Sequence, residues 1–338
     1  MANPLAQLIP HVKQMAQTCV PRARRYITGI AHDFWKDGTD SPIDHFKDKP
    51  PIKPAAARTM ASRIATIQEA AVAPVAAPSV VAAPQIQIWH AEPGEISEKM
   101  WGQGYVTPCD VVMTEALIAP LSLDAHKAVL DLSAGLGSRS RIISEKFGLS
   151  ITGLEPDPDV AARGMELSIM AGKSKNDPIA TYEPSSLSLA KKYDCILARE
   201  TFYRAQDKNT FFTAIAGCAK PSAQLSFTDY IVNPEDREKP AVSAWQKFED
   251  GALPLSLVEM AEAWAKVGFT ISTHEDQTAL YRKEIPLGLK RLAVYLASGI
   301  KPDKETKASI LKRIQTWTHR MAALEQGMKL YRFYGTKQ

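Results

Sequence analysis

The sequence predicts an α/β protein in which a largely parallel sheet is covered by helices. Beyond Lys127, short apolar runs alternate with segments of helical periodicity, which is the pattern of strands connected by helical crossovers. The last apolar run comes late, after two consecutive helical segments near residues 286–298 and 303–327. A seventh strand that comes late and is displaced from the others is typical of a seven-stranded α/β sheet that is mostly parallel.

Each predicted strand is an apolar run short enough to cross a sheet once. In chain order the runs are AVLDLS, SITGLE, PIATY, YDCIL, QLSFTDYI, GFTISTHED and KLYRFYGTK. Helices are predicted from Ser138 to Phe147, from Asp157 to about Ala171, and over FFTAIAGCA between the fourth and fifth runs.

The chain divides into three predicted regions. Residues 1–70 are predicted to be a helical or partly disordered extension, residues 71–94 an Ala/Pro-rich linker, and residues 95–338 one domain with a helical insertion at about 284–327. The linker contains AVAPVAAPSVVAAP, in which repeated prolines forbid a helix and small side chains offer little to pack.

Two basic segments have two interpretations each. Arg22, Arg24 and Arg25 in the N-terminal arm are compatible with a peripheral membrane or protein contact, or simply with a solvated charged face. Lys312, Arg313 and Arg320 lie around Trp317 and could contact phosphates or an anionic lipid surface. The simpler interpretation of that second segment is a solvated helix face with the tryptophan in the core.

Composition excludes several classes of function. The net charge of +4 is too small to indicate nucleic-acid binding through bulk charge. The four cysteines form no CxxC pair, which favours a reducing compartment, and no run approaches the roughly 18 apolar residues of a transmembrane helix. We therefore expect a cytoplasmic protein that could make a peripheral membrane or protein contact through the basic arm. No metal-ligand motif is recognisable among the histidines and cysteines, so no metal is expected.

A glycine-rich turn and an acid carry the functional signal. The run VLDLSAGLG, residues 129–137, is a buried strand that ends in a small-residue turn before a helix, where a ligand can approach the backbone closely. Glu155 ends the next strand, where an acid binds the ribose hydroxyls of an adenosine cofactor. A dinucleotide would prefer GxGxxG; the shorter spacing here favours S-adenosylmethionine over NAD.

At this point the sequence resembles the class I methyltransferases, and among them the phosphoethanolamine N-methyltransferases with their small-molecule and lipid-modifying relatives. The resemblance covers about residues 97–275 and rests on the order and spacing of WGQGYVTP, VLDLSAGLG, ITGLE, YDCILARE and LSFTDY. It implies a Rossmann-like seven-stranded sheet, mostly parallel with a displaced antiparallel last strand and with helices on both faces.

The resemblance also implies roles for individual residues. The cofactor would be bound by Asp131, Ser133, Gly135, Gly137, Glu155, Thr107, Ser185 and Arg199. Catalytic positions would be held by Tyr105, Glu200 and Arg204, and the substrate would be bound by Trp101, Tyr203, Asp229 and Tyr230. An aromatic packing role is the alternative for Tyr105 and Tyr230.

Departures from the family pattern affect both the cofactor and the substrate. Ser133 replaces a glycine, which would cause strain if its φ were positive. Glu200 and Arg204 stand where the phosphoethanolamine enzymes have an acid and a histidine, and arginine cannot act as a base. The arginine with which those enzymes bind phosphate has no counterpart in EDGA, residues 249–252. After the third strand, Ser185 and the slightly early Glu183 replace an adenine-binding acid.

The resulting hypothesis is N- or O-methylation of a small molecule or lipid headgroup. Faces of Trp101, Tyr105, Phe202 and Tyr203 would stabilise a cation by about 0.5 to 2 kcal/mol per ring. The alternative is a catalytically silent methyltransferase fold that serves as a scaffold. RNA methylation is disfavoured because the motifs of base methylation and a separate RNA-binding domain are missing from the sequence.

Overall fold

The computed structural model describes residues 88–298 and 300–338, so the predicted extension, most of the predicted linker and the basic cluster at Arg22 lie outside the described residues. The strands are β1 (Ile88–Trp89), β2 (Ala128–Asp131), β3 (Ser150–Glu155), β4 (Ile179–Thr181), β5 (Tyr193–Arg199), β6 (Ala219–Ile231), β7 (Phe269–Asp276), β8 (Lys301–Pro302) and β9 (Lys329–Lys337). The helices are α1 (Glu95–Trp101), α2 (Asp110–Ile118), α3 (Ser138–Phe147), α4 (Pro158–Met170), α5 (Lys208–Cys218), α6 (Pro240–Phe248), α7 (Leu257–Lys266), α8 (Thr278–Ala297) and α9 (Lys304–Glu325).

Seven strands form one sheet in the order β4-β3-β2-β5-β6-β9-β7. Strand β9 runs antiparallel to both its neighbours, β6 and β7, while the other pairs in this sheet are parallel. The predicted Rossmann-like sheet with a displaced antiparallel last strand is therefore confirmed. Strands β1 and β8 form a separate parallel pair, which places β1 within the range predicted as linker.

Local sequence explains most helix boundaries. Helix α7 begins with a capping box, in which the Ser256 hydroxyl accepts from the Glu259 amide and the Glu259 carboxylate accepts from the Ser256 amide. Asp157 caps α4 ahead of a proline in the first turn. Helix α8 differs from the prediction: it begins at Thr278 rather than near residue 286 and continues through Pro286. Burial of Tyr281 and Ile285 stabilises the turns before this proline.

Apolar side chains cover both faces of the sheet. One cluster includes Met100 of α1, Leu117 of α2 and Trp317 of α9, and the opposite cluster includes Phe212 of α5 and Trp264 of α7. Each large side chain buried in this way stabilises the fold by about 1.5 to 3 kcal/mol. Helices α8 and α9 thus belong to the core. No helix in the described part of the chain is both long and apolar enough to cross a membrane.

The register brings the chemically interesting residues to one edge. Asp131 ends β2 between Gly153 of β3 and Leu197 of β5, and Arg199 lies opposite Thr228 of β6. Because parallel strands end at a common edge, the turn after β2 faces the ends of β3, β5 and β6. This is the edge at which open α/β sheets bind their ligands.

Candidate functional site

The glycine-rich turn between β2 and α3 has the backbone that a ligand-binding turn requires. Gly135 and Gly137 have φ angles of 54° and 81°, in the left-handed region that favours glycine. A β-carbon on Gly135 would lie 2.7 Å from Cγ2 of Val106, so the segment WGQGYVTP lies against the turn. Ser133 is not among the residues with positive φ, so serine at this position is not strained.

Glu155 faces this turn. Its Oε2 accepts a hydrogen bond from the Gly135 amide at 2.9 Å, and Oε1 accepts from the Asp157 amide at 3.1 Å. Burial raises the pKa of the Glu155 carboxyl above its ordinary value, while the two amides and the charge of Arg204 oppose that rise. The side chain is half-buried and so still reaches solvent. A carboxylate at this place can accept hydrogen bonds from the hydroxyls of a ribose.

Asp131, which also faces the turn, is engaged by a residue that the sequence analysis missed. Arg139 donates from Nε and Nη2 to the Asp131 carboxylate at 3.1 and 2.9 Å, and from Nη2 to the Ser133 carbonyl at 2.7 Å. The Ser133 hydroxyl is 3.2 Å from Asp131 Oδ1 and accepts from the Arg199 amide at 2.8 Å. The role of Asp131 toward a cofactor stays a prediction. The sequence signal for the pair of Asp131 and Arg139 was the combination of Ser133, in place of a glycine, with Arg139 directly after the turn.

Arg199 is buried in a second ion pair. Its Nη1 lies 2.5 Å from Asp110 Oδ1, and Nη2 donates to the Pro108 carbonyl and to the Tyr281 hydroxyl at 2.8 and 2.5 Å. Thr107 joins this group because its hydroxyl donates to Asp110 Oδ2 at 3.2 Å. The structure therefore brings Arg199 and Thr107 together, with Asp110 and Tyr281 as partners that the sequence analysis did not find.

Glu200 follows β5 and has an unusual backbone. Its φ is 45°, a conformation that costs a non-glycine residue about 1 to 3 kcal/mol and is found mainly at functional sites. Oε1 accepts from the Thr228 hydroxyl at 2.7 Å and from the Tyr281 hydroxyl at 2.9 Å. Oε2 is buried and has no hydrogen-bond partner within residues 88–298 and 300–338. An unpartnered carboxylate oxygen held in this way can accept a hydrogen bond from a ligand.

A network of Tyr203, Arg204, Glu249 and Arg320 lies next to Glu200. The Tyr203 hydroxyl donates to Glu249 Oε2 at 2.7 Å and accepts from Arg204 Nε and Arg320 Nη2 at 2.7 and 2.8 Å. Arg320 reaches both carboxylate oxygens of Glu249, at 2.5 and 2.7 Å. Tyr230 packs edge-to-face on Tyr203 at 5.2 Å between ring centroids, and its buried hydroxyl lacks a partner among the described residues.

Glu249 gives this network a pH dependence. Burial opposes ionisation of Glu249, but the charges and hydrogen bonds of Arg320 outweigh it and lower its pKa to about 2. Since the pKa of an unfolded glutamate is about 4.3, the ionised form stabilises the fold by about 3 kcal/mol above that pH. That stability is lost as the pH falls through about 2.

We expect Glu249→Gln to remove this component of acid denaturation. The free energy of unfolding of the unmodified chain, measured in urea at pH 5 and pH 2, should fall by about 3 kcal/mol more than that of the variant. Glu262→Gln changes an exposed glutamate on α7 and serves as the control. Equal pH slopes for the Glu249 variant and the unmodified chain would contradict the assignment.

Asp229 positions the segment after β5. Its carboxyl oxygens accept from the amides of Tyr203 and Tyr230 at 2.9 and 2.8 Å. Complete burial raises its pKa to about 8, although these amides and the charge of Lys208 oppose the rise. Asp229 thus holds the backbone of Tyr203, and its predicted contact with substrate stays a prediction.

The remaining predicted residues lie around this centre. Trp101 packs edge-to-face on Trp317 at 4.9 Å and against Gly288. Tyr105 is half-buried, and burial together with the charge of Asp110 raises its pKa. Ser185 is exposed at a small recess of about 70 Å³ that Arg204 also lines. The expectation that Phe202 offers a face to a cation is wrong: it is fully buried and packs on Phe227 and Trp264 within the opposite cluster.

The site fits an adenosyl ligand at its nucleoside end. Glu155 presents a carboxylate to the turn, and the two left-handed glycines leave that backbone without side chains. At the other end the turn carries one carboxylate and one guanidinium, Asp131 and Arg139, which match the two opposite charges of an amino acid. These residues could therefore hold S-adenosylmethionine.

Comparisons with known proteins decide the family. A family profile described as a methyltransferase domain matches residues 105–274, half of the chain. The chain belongs to this methyltransferase family. This match favours the predicted S-adenosylmethionine over NAD as the cofactor, and the predicted class I fold is confirmed.

Individual relatives are distant. Phosphoethanolamine N-methyltransferase 1 of Arabidopsis thaliana is 23% identical over 196 residues, which are 58% of this chain and 39% of that protein. A solved structure of Haemonchus contortus phosphoethanolamine N-methyltransferase 2, with S-adenosyl-L-methionine, aligns with a TM-score of 0.60 and 17% identity over 72% of this chain and 56% of that one. A Mycobacterium tuberculosis cyclopropane synthase aligns with a TM-score of 0.57 and 15% identity over 70% and 87%. The chain thus spans well under half of its curated plant relative.

Proposed function

We propose that this protein transfers a methyl group from S-adenosylmethionine to the amine of a small molecule or lipid headgroup that also carries an anionic group. The observation that carries the proposal is the Glu200 carboxylate, which keeps a buried, unpartnered oxygen at the edge of the sheet beside the cofactor turn. An amine has the N–H groups that such an oxygen accepts.

The cofactor supplies an activated methyl group on a sulfonium sulfur, so the protein has mainly to align the acceptor and exclude water. Glu200 orients the amine and takes its proton at Oε2, while Thr228 and Tyr281 hold Oε1 in place. Tyr281 also binds Arg199, so that helix α8 closes this side of the site.

Arginines from α9 and from the segment after β5 supply the anion-binding group. Arg313 is half-buried and makes no hydrogen bond or ion pair with another described residue. Burial lowers its pKa, and the neighbouring charges of Arg320 and Arg204 lower it further. Glu249 is the carboxylate that pairs with Arg204 and Arg320. Asp157 also acts on Arg313 electrostatically, but Arg313 is the one guanidinium of the three that forms no ion pair with a described residue, so a phosphate or carboxylate can bind it.

This location differs from the one that the sequence analysis considered. Residues 249–252 offer no arginine, but Arg313 and Arg320 come from the helical insertion and reach the same neighbourhood through tertiary packing. The relatives named phosphoethanolamine N-methyltransferases support an amine with a phosphate as the acceptor.

The test compares acceptors with and without the anionic group. The full chain is incubated with methyl-labelled S-adenosylmethionine and with phosphoethanolamine, ethanolamine or vesicles of phosphatidylethanolamine. We expect transfer to an acceptor with a phosphate and much less transfer to ethanolamine; the vesicle arm distinguishes a lipid headgroup from a free phosphobase. Transfer to none of the three, or a preference for ethanolamine, would contradict the proposal.

Arg313→Gln tests the anion-binding group directly. A charge-assisted hydrogen bond contributes about 1.5 to 3 kcal/mol, so KM for the phosphorylated acceptor should rise about 10- to 100-fold with a smaller change in kcat. Lys312→Gln removes an exposed charge from the same helix and is the control. An unchanged KM in the Arg313 variant would exclude this arginine from the site.

A further inference from the structure

Arg139 lies at the cofactor turn without being part of its recognised motif. It is the second residue of α3, directly after the glycine-rich turn, and its side chain is 5% exposed. Its guanidinium donates to the Asp131 carboxylate and to the Ser133 carbonyl, both N-terminal to the two glycines of the turn. A positive charge is therefore held within the turn itself.

The guanidinium is not saturated by these contacts. Nε and Nη2 make the hydrogen bonds to Asp131 and Ser133, but no hydrogen bond from Nη1 is found in the described part of the chain. Nη1 lies 3.7 Å from Oδ1 of Asp110, and that oxygen is already bound by Arg199 at 2.5 Å. Arg139 therefore keeps donor capacity at Nη1 for a ligand bound at the turn.

The balance of buried charge favours a ligand with positive and negative groups. Asp110, Asp131 and Glu200 are three carboxylates in a chain of ion pairs with only two guanidiniums, Arg139 and Arg199. An amino-acid group adds one charge of each sign, and a sulfonium adds a further positive charge. Such a ligand compensates the surplus carboxylate without leaving a new charge unpaired.

We propose that Arg139, held in place by Ser133, binds the carboxylate of the methionine part of the cofactor through Nη1. The Ser133 carbonyl, which already accepts from Arg139 Nη2, has a second lone pair that can accept from the ammonium. Serine in place of glycine then has a purpose, since its hydroxyl contacts Nη2 of Arg139 at 3.0 Å. This inference rests on the proposed function, because it requires that S-adenosylmethionine binds at the turn.

Ligands that differ only in this group test the inference. Calorimetry on the full chain measures the affinities of S-adenosylhomocysteine, of its decarboxylated analogue and of 5′-methylthioadenosine, which lacks the whole amino-acid part. The variant is Arg139→Lys, which keeps a charge beside buried Asp131 but removes the forked geometry. We expect the preference for S-adenosylhomocysteine over its decarboxylated analogue to fall about tenfold, with binding of 5′-methylthioadenosine retained.

Retained binding of 5′-methylthioadenosine shows that the variant is folded, and the ratio of affinities within one variant cancels any general loss. Ser133→Gly leaves both charges in place and should reduce the same preference. Arg141→Lys changes a neighbouring arginine of α3 that bonds to Leu136 and Ser168 instead, and should leave the preference unchanged.

Two results would overturn the inference, and each has a different consequence for the proposed function. If Arg139→Lys preserves the preference for the carboxylate, Arg139 has a purely structural ion pair and the inference is wrong, while the proposed function stands. If the unmodified chain binds none of the three ligands, the proposed function fails and the inference fails with it.

Discussion

Replacing Glu200 by glutamine should lower the rate of methyl transfer by about 10²- to 10⁴-fold, the range for loss of a positioned acid or base. The amide has the size of the carboxylate but cannot take a proton. Because Oε1 is held by Thr228 and Tyr281, the amide nitrogen would take the place of Oε2, where the amine would meet a donor instead of an acceptor. The measurement is kcat and KM with the phosphorylated acceptor, alongside the melting temperature.

Tyr281→Phe separates orientation from proton acceptance. It removes the hydrogen bond to Glu200 and the one from Arg199 but leaves the carboxylate in place, so we expect a loss of about tenfold, well below that of the glutamine variant. Glu166→Gln, an exposed change on α4, should have no effect. If Glu200→Gln keeps the full kcat while remaining folded, this carboxylate does not act on the acceptor.

Sequence periodicity predicted the sheet because each strand is a separate apolar run and each crossover a separate helical segment. The turn after Asp131 and the acid at Glu155 were also predictable, since both are local features at the ends of consecutive strands. Local patterns do not predict the length of a helix that tertiary packing stabilises. Helix α8 starts at Thr278 because Tyr281 and Ile285 are buried in the core, although Pro286 interrupts the local helical signal.

The partners in the site were less predictable because they come from distant parts of the chain. Tyr281 meets Glu200, and Arg320 meets Glu249, only after α8 and α9 have packed against the sheet. The basic segment around Arg313 was recognised, but its sequence fits a solvated face equally well. Arg139 is the exception, because it directly follows the motif.

Gly135→Ala should abolish most cofactor binding. Alanine would have to adopt the φ of 54° that the turn requires, at a cost of about 1 to 2 kcal/mol. Its methyl group would also lie 2.7 Å from Cγ2 of Val106. Either the turn or the segment above it must move, and the Gly135 amide would move away from Glu155. Loss of the hydrogen bonds from the ribose to the Glu155 carboxylate, at about 1.5 to 3 kcal/mol, should lower the affinity for S-adenosylhomocysteine by about 10- to 100-fold.

Gly172→Ala is the control for backbone strain, because it introduces a left-handed alanine away from the turn. Gly172 also has a left-handed φ, 67°, but a β-carbon there would meet nothing within 4 Å. Both variants therefore carry a similar backbone cost in unfolding free energy, while only Gly135→Ala disturbs the space between the turn and Val106. Calorimetry should show unchanged S-adenosylhomocysteine binding for Gly172→Ala; equal losses in the two variants would mean that strain, rather than the shape of the turn, controls binding. Normal binding by Gly135→Ala would place the cofactor elsewhere than at this turn.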